Sequence, residues 1–197
     1  MNKSLSESIK NLEELFDIFN QRLYDSELEK PIISIQLDKT GKAYGWCTTY
    51  KAWQTTDGKE YYEINMCAEY MTRSFEETCG TLIHEMAHLY NLMHDIKDCN
   101  KQYHNGKFKK TAEEHGLIVE KTKYGWSNTQ LNDEMKNFIK DLNYSFDIAR
   151  KAETKIKGKA KTKKYHSYMC PCCNAKIYSV SSLNVECNDC GMSFIEY

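Results

Sequence analysis

The sequence predicts an α+β fold followed by a small separate unit. Three features of the chain point that way. Apolar residues recur at helical spacing near the N-terminus and again from residue 74 onward. Between them, residues 32–67 are rich in β-branched and aromatic residues and are broken at two glycine-containing stretches. A basic, almost apolar-free segment then precedes a tail that holds five of the nine cysteines.

The elements follow in order. Leu5, Ile9, Leu12, Leu15, Phe16, Phe19 and Leu23 make one face of a helix over 5–24, with Ser4 or Ser6 as its cap. Ile32–Leu37, Ala43–Trp53 and Glu60–Cys67 read as strands of an antiparallel meander, separated by Lys39–Lys42 and Thr55–Lys59. A long helix is expected from about Ser74 to Leu92. A shorter one runs from about Gly106 to Glu114 and is stopped by Gly116. A last helix is expected over Leu131–Arg150, where Leu131, Met135, Phe138, Ile139, Leu142, Phe146 and Ile148 lie largely on one face. The aromatic residues of the strands, Tyr44, Trp46, Tyr50, Trp53, Tyr61 and Tyr62, fit alternation between core and surface and receive no site role.

The 197 residues, 41% of them hydrophobic and 12% aromatic, suffice for one ordinary core with a small appendage and argue against disorder. A mean hydropathy of −0.71 and the lack of an apolar run near about 18 residues exclude a membrane-spanning helix. The opening MNKSLSESIK lacks the apolar stretch of a secretory signal, so a cytoplasmic protein, free or nucleoid-associated, with no membrane partner is expected. The formal charge of −1 hides a segregation. Residues 150–164 hold eight Lys/Arg against Glu153, a local +7 that leaves −8 on the rest. This segment reads as a linker, giving a division into 1–149, a basic linker 150–164 and a unit 165–197.

The strongest motif is His84-Glu85-Met86-Ala87-His88. Histidines four apart share one helix face, so two imidazoles can grip one Zn²⁺, and Glu85 beside them can act as the base. A catalytic zinc needs a third protein ligand and an open position. His94, six residues after His88, would give the metzincin-like HExxHxxNxxH, with Asn91 in the glycine position. His104, sixteen residues after His88, would enter from the loop Tyr103-His104-Asn105-Gly106-Lys107-Phe108. Spacing alone leaves both open. His115 reads as a surface residue complementing a helix C-terminus.

HExxH, a polar loop and then H-x-G-x-F opening a helix resembles the SprT-like metallopeptidase family. The first amphipathic helix, the strand-rich middle, Thr81-Leu82-Ile83 before the motif and the cysteines after the catalytic region resemble it too. Asn105 departs from the pattern, standing where it often has Gly. The resemblance implies a zincin-like catalytic domain. It also implies His84, His88 and His104 as zinc ligands, Glu85 as catalytic base and Phe108 at an aromatic position. The implied activity is a zinc metalloendopeptidase, monomeric, trimming proteins bound or crosslinked to DNA and stimulated by single strands.

Cys170-Pro171-Cys172-Cys173 and Cys187-Asn188-Asp189-Cys190 lie thirteen residues apart. Two CxxC turns at such spacing complete a tetrahedral S₄ site, so Cys170, Cys173, Cys187 and Cys190 are expected to hold a structural zinc. Cys172 is then the sulfur left over. Some 33 residues are too few for a self-sufficient core, so the metal should make this ribbon fold. With the +7 linker and Tyr165, Tyr168 and Tyr178 beside it, the ribbon is a candidate surface for single-stranded DNA. The rival function is a nucleic-acid-binding zinc protein whose HExxH site is not catalytic. An intact Glu85 argues against it, because a purely structural site needs ligands and no base.

Overall fold

A computed structural model describes residues 4–38, 43–151 and 165–197. The turn expected at Lys39–Lys42 and the basic linker beyond Lys151 lie outside the described residues. The chain divides into two compact units, Met1–Ala152 and Glu153–Tyr197. Among the described residues no helix is long and apolar enough to cross a membrane.

Helix α1 (Leu5–Leu23) starts at Ser4, whose hydroxyl accepts the Glu7 N–H at 3.1 Å. Its face of Leu12, Leu15, Phe16 and Phe19 is wholly buried. The chain turns back where Asp25 and Ser26 take positive φ, and the buried Asn20 amide clamps both backbone groups of Leu28.

Strands β1 (Ile32–Gln36), β2 (Gly45–Cys47), β3 (Trp53–Gln54), β4 (Glu60–Tyr61) and β5 (Glu63–Cys67) follow. They do not form the expected meander. β5 is central, parallel to β1 and antiparallel to β2, in the order β1-β5-β2. β3 and β4 pair separately, across a turn through Gly58. The reason lies in β5, whose five residues are all buried. A strand buried along its whole length must be covered on both edges and both faces, which a terminal meander strand is not.

A 3₁₀ turn (Ala68–Tyr70) leads to α2 (Phe75–Met93). Ser74 and Glu77 form a reciprocal capping box at its start. Cys79, Leu82, Ile83, Met86, Ala87 and Leu89 are fully buried, making this the central helix of the first unit. Strands β6 (Cys99–Asn100) and β7 (Tyr103–His104) form a short hairpin before α3 (Gly106–Glu114). The N-cap of α3 is Asn105, whose side chain accepts the N–H groups of Lys107 and Phe108. The residue that departs from the family pattern thus has a local function.

A hairpin not anticipated from sequence comes next: β8 (Leu117–Thr122) and β9 (Gly125–Leu131), completing a sheet in the order β6-β7-β9-β8. The final expected helix is much shorter, α4 (Asp133–Ile139), capped by Asn132. Residues beyond it keep their apolar contacts without helix: Phe146 is buried, and Phe75 lies 6.4 Å from the rings of Tyr144 and Phe146. Asn143, Ser145 and Asp147 interrupt this stretch, and Ser145 bonds Asp147 locally. Such side chains compete with the helical ladder.

In the second unit β10 (His166–Met169), β11 (Lys176–Ser179) and β12 (Ile195–Glu196) form a sheet in the order β11-β10-β12. Among its described residues the buried apolar ones are Tyr168, Cys170 and Cys187.

Candidate metal centre

Helix α2 supplies His84, Glu85 and His88, and β7 supplies His104. The second hairpin fixes His104. Its backbone N–H donates to the Tyr124 carbonyl at 3.0 Å, and Gly125 is its ladder partner on β9. A Cβ at Gly125 would stand 2.1 Å from the His104 carbonyl oxygen, and φ there is +78°. Only glycine permits that approach.

The three imidazoles converge. Nε2 of His104 lies 3.3 Å from Nε2 of His84 and 3.1 Å from Nε2 of His88. Nitrogens bound to one tetrahedral zinc at 2.0–2.1 Å stand about 3.3 Å apart, so the donor set fits that ion and could hold it. Burial, and then the charges of His88 and His104, hold the His84 ring well below the usual imidazole range. Burial and the charge of His88 bring His104 down to about 4. Neutral rings with free lone pairs are what a metal requires.

The outer ring nitrogens are tied down. Nδ1 of His84 bonds Thr129 Oγ1 at 2.9 Å, and Nδ1 of His88 bonds Asp98 Oδ2 at 2.6 Å. The same carboxylate oxygen accepts the Asn91 amide at 3.0 Å, and the fully buried Asn91 accepts the Thr111 hydroxyl at 2.7 Å. Burial pushes the Asp98 carboxyl up. The hydrogen bond and charge of His88, with the Asn91 amide, outweigh burial and hold it below its ordinary value. Such partners set ring tautomer and orientation. Phe108, fully buried, packs under all three imidazoles with centroids 4.5–4.7 Å away.

Glu85 points toward β2. It is 5% exposed, and burial raises its carboxyl to about 7, with the Cys47 backbone N–H pulling the other way. The fit against β2 is close. A Cβ on Gly45 would meet the Asn65 carbonyl oxygen at 2.9 Å, Thr81 Cγ2 at 3.1 Å and Glu85 Cγ at 3.3 Å.

His94 is not part of this cluster. It caps the C-terminus of α2, with Nε2 2.9 Å from Glu27 and its ring 4.3 Å from that of Tyr90. His115 lies at the end of α3, where Nδ1 meets the Thr111 carbonyl at 2.6 Å and the ring stacks on Tyr24 at 4.0 Å.

In the second unit the sulfurs of Cys170, Cys173, Cys187 and Cys190 gather within 4.8 Å and could hold a metal. Cys173 and Cys187 are 3.7 Å apart, near the roughly 3.8 Å of two thiolates on one tetrahedral zinc. Two backbone turns shape the cluster. Asn174 N–H returns to Cys170 and Gly191 N–H to Cys187, and both residues have positive φ. Backbone N–H groups of Cys173 and Cys172 lower the Cys170 thiol to about 7. Cys172 is exposed and outside the group.

Asp98, Thr129 and Gly125 were not legible as site residues. Asp98 and Thr129 act on histidines 10 and 45 residues away, and nothing local marks them. The hairpin did have a signal: the apolar, β-branched run Leu117-Ile118-Val119 follows Gly116, and Gly125 breaks the chain before Trp126. Compared with known families, residues 12–137 match the SprT-like family. Comparison with curated proteins gave no match.

Proposed function

Since that match spans well over half of its length, the chain belongs to the SprT-like family, and we propose that it is a zinc-dependent endopeptidase of zincin-like architecture. The observation that carries this reading is the convergence of three imidazole Nε2 atoms beside a buried carboxylate. His84, His88 and His104 would hold the ion, and Cys170, Cys173, Cys187 and Cys190 a second, structural one. When bound, zinc supplies Lewis-acid activation of water and of the scissile carbonyl.

The chain's own residues do the rest. Glu85, raised to about 7 by burial, takes the proton of the attacking water on its carboxylate and returns it to the leaving amine. Asp98 and Thr129 keep the His88 and His84 rings turned inward. β2 is an edge strand of its sheet, so an extended peptide can lie along it by strand addition.

The substrates we assign are proteins bound or crosslinked to DNA. The support is the +7 charge of residues 150–164, and exposed Tyr165 and Tyr178 in the second unit that bases could stack on.

The test is proteolysis by zinc-loaded protein on a DNA-binding substrate, with and without single-stranded DNA. Glu85→Gln should keep its zinc and lose cleavage. Cleavage that rises with DNA supports the substrate class, and cleavage indifferent to DNA leaves a general peptidase. No cleavage with both metals present and DNA bound would replace the enzyme with a binding module.

A further inference from the structure

We propose that Arg73 determines specificity at the peptidase site by pairing with an acidic side chain of the substrate. This role rests on the endopeptidase reading and names the substrate it prefers. The course of a bound peptide follows from β2. The Cys67 N–H donates to the Tyr44 carbonyl, and the Thr48 N–H to the Glu63 carbonyl. Backbone groups of an antiparallel edge strand alternate in direction, so Gly45 and Cys47 turn theirs away from β5. Glu85 takes the Cys47 N–H, so a peptide along this edge passes the base and runs on toward Tyr44.

Arg73 stands at that end. Its Nη2 donates to Thr81 Oγ1 at 2.6 Å, and its Nε to the Tyr70 carbonyl at 3.4 Å. Thr81 lies about one helical turn before Glu85, and a Cβ on Gly45 would meet both side chains. The guanidinium carbon sits 4.0 Å from the centre of the Tyr44 ring. That ring is 52% exposed and braced edge-on by Tyr70 at 4.9 Å. Hydrogen bonds on two sides and a ring beneath hold the fork in one orientation beside the edge strand.

Its charge is left unanswered. Glu77, the acid whose charge acts on Arg73 most, turns its carboxylate to the Ser74 N–H and hydroxyl. Only the Glu77 backbone carbonyl reaches the guanidinium, at 3.5 Å. Among the described residues Arg73, half-buried, forms no ion pair. It also directly precedes the N-cap of α2, the end of a helix that disfavours a cation. A partly desolvated guanidinium without a counter-ion favours an anionic ligand, and its planar fork suits a carboxylate. Nη1 takes no part in the bonds above and keeps both its hydrogens for one. Side chains of an extended peptide alternate between two faces, so the preferred acid falls at a single position, on the Tyr44 side of the scissile bond.

The experiment gives the zinc-loaded full chain matched peptides carrying Glu, Gln or Lys at successive positions on either side of the cleaved bond. Products are located by mass spectrometry. At one position only, kcat/KM should favour Glu over Gln by about tenfold. Arg73→Gln should bring that ratio to unity, Arg73→Lys should keep part of it, and Arg73→Glu should favour Lys there. Should Arg73→Gln fail to fold, salt decides on the unaltered chain, where raising it from about 0.05 to about 0.5 M should shrink the ratio several-fold. Equal rates for Glu and Gln at every position, a ratio unchanged in Arg73→Gln, or one indifferent to salt would overturn the assignment. So would a loss in Arg73→Gln that is uniform over all peptides, which is what a mere brace for Thr81 predicts. Anisotropy of labelled peptides on zinc-loaded Glu85→Gln reads the same preference as affinity, without cleavage. A preference for Glu there that Arg73→Gln removes, with no cleavage of any peptide by the parent chain, would overturn the peptidase reading and leave Arg73 as a carboxylate-binding residue.

Discussion

Replacing Gly45 with Ala should impair the base while sparing the metal ligands. The added Cβ would lie 2.9 Å from the Asn65 carbonyl oxygen, where ordinary contact begins near 3.4 Å. The Cβ is held rigidly by the backbone and its partner is a backbone atom of the paired strand, so no side chain can swing aside. β2 must shift by about half an ångström, in a core packed as densely as a crystal. The same Cβ presses on Glu85 Cγ at 3.3 Å, and the Cys47 N–H that steadies the Glu85 carboxylate moves with the strand. Overpacking of this kind costs about 1–3 kcal/mol of stability. Displacing a reacting group by up to an ångström costs on the order of 10–100-fold in rate. The three histidines belong to α2 and β7, so zinc content should not change. Urea unfolding, zinc stoichiometry and kcat/KM on one preparation test all three expectations. Wild-type kcat/KM at wild-type stability would refute the close fit between β2 and Glu85. Loss of zinc would refute the separation of base from ligands.

Other expectations concern the ligands, the packing beneath them and the second unit. His104→Ala should empty the three-histidine centre. His94→Ala should leave it loaded and change stability by at most about 1 kcal/mol, since its pair with Glu27 is more than a third exposed; metal analysis of both variants with a melting curve decides this. Phe108→Ala removes a fully buried ring from beneath the imidazoles and should cost about 3–5 kcal/mol in denaturant unfolding of the metal-free protein. Excess zinc should restore part of that loss, because an ion held only by folded protein stabilises it. Chelation should unfold the second unit alone, whose buried apolar residues among those described are Tyr168, Cys170 and Cys187. Limited proteolysis would then remove residues beyond 165, while α1 to α4 stay protected by their core.

Local chemistry made much of this protein readable from its sequence. The cap at Ser4, the helix around HExxH and the cysteine turns each depend on residues within a few positions of one another, as spacing rules require. Asn105 shows how far such reading goes. It stood out as a departure from the family pattern, and its use as a helix cap is visible only with the N–H groups of Lys107 and Phe108 in place.

By itself the sequence determined the α+β class, the pair of histidines with a carboxylate between them, and the clustering of cysteines. It left two candidates for a third histidine, which only a resemblance separated. Tertiary structure decided the rest. It brought His104 to the pair through a ladder that requires Gly125, and sent His94 to an ion pair with Glu27. It also set β1 parallel to β5 in place of a meander, and ended the last helix at Ile139. The physical reason is common to all of these. Periodicity reports which face of a segment is buried, whereas strand order and side-chain meetings depend on partners tens of residues away.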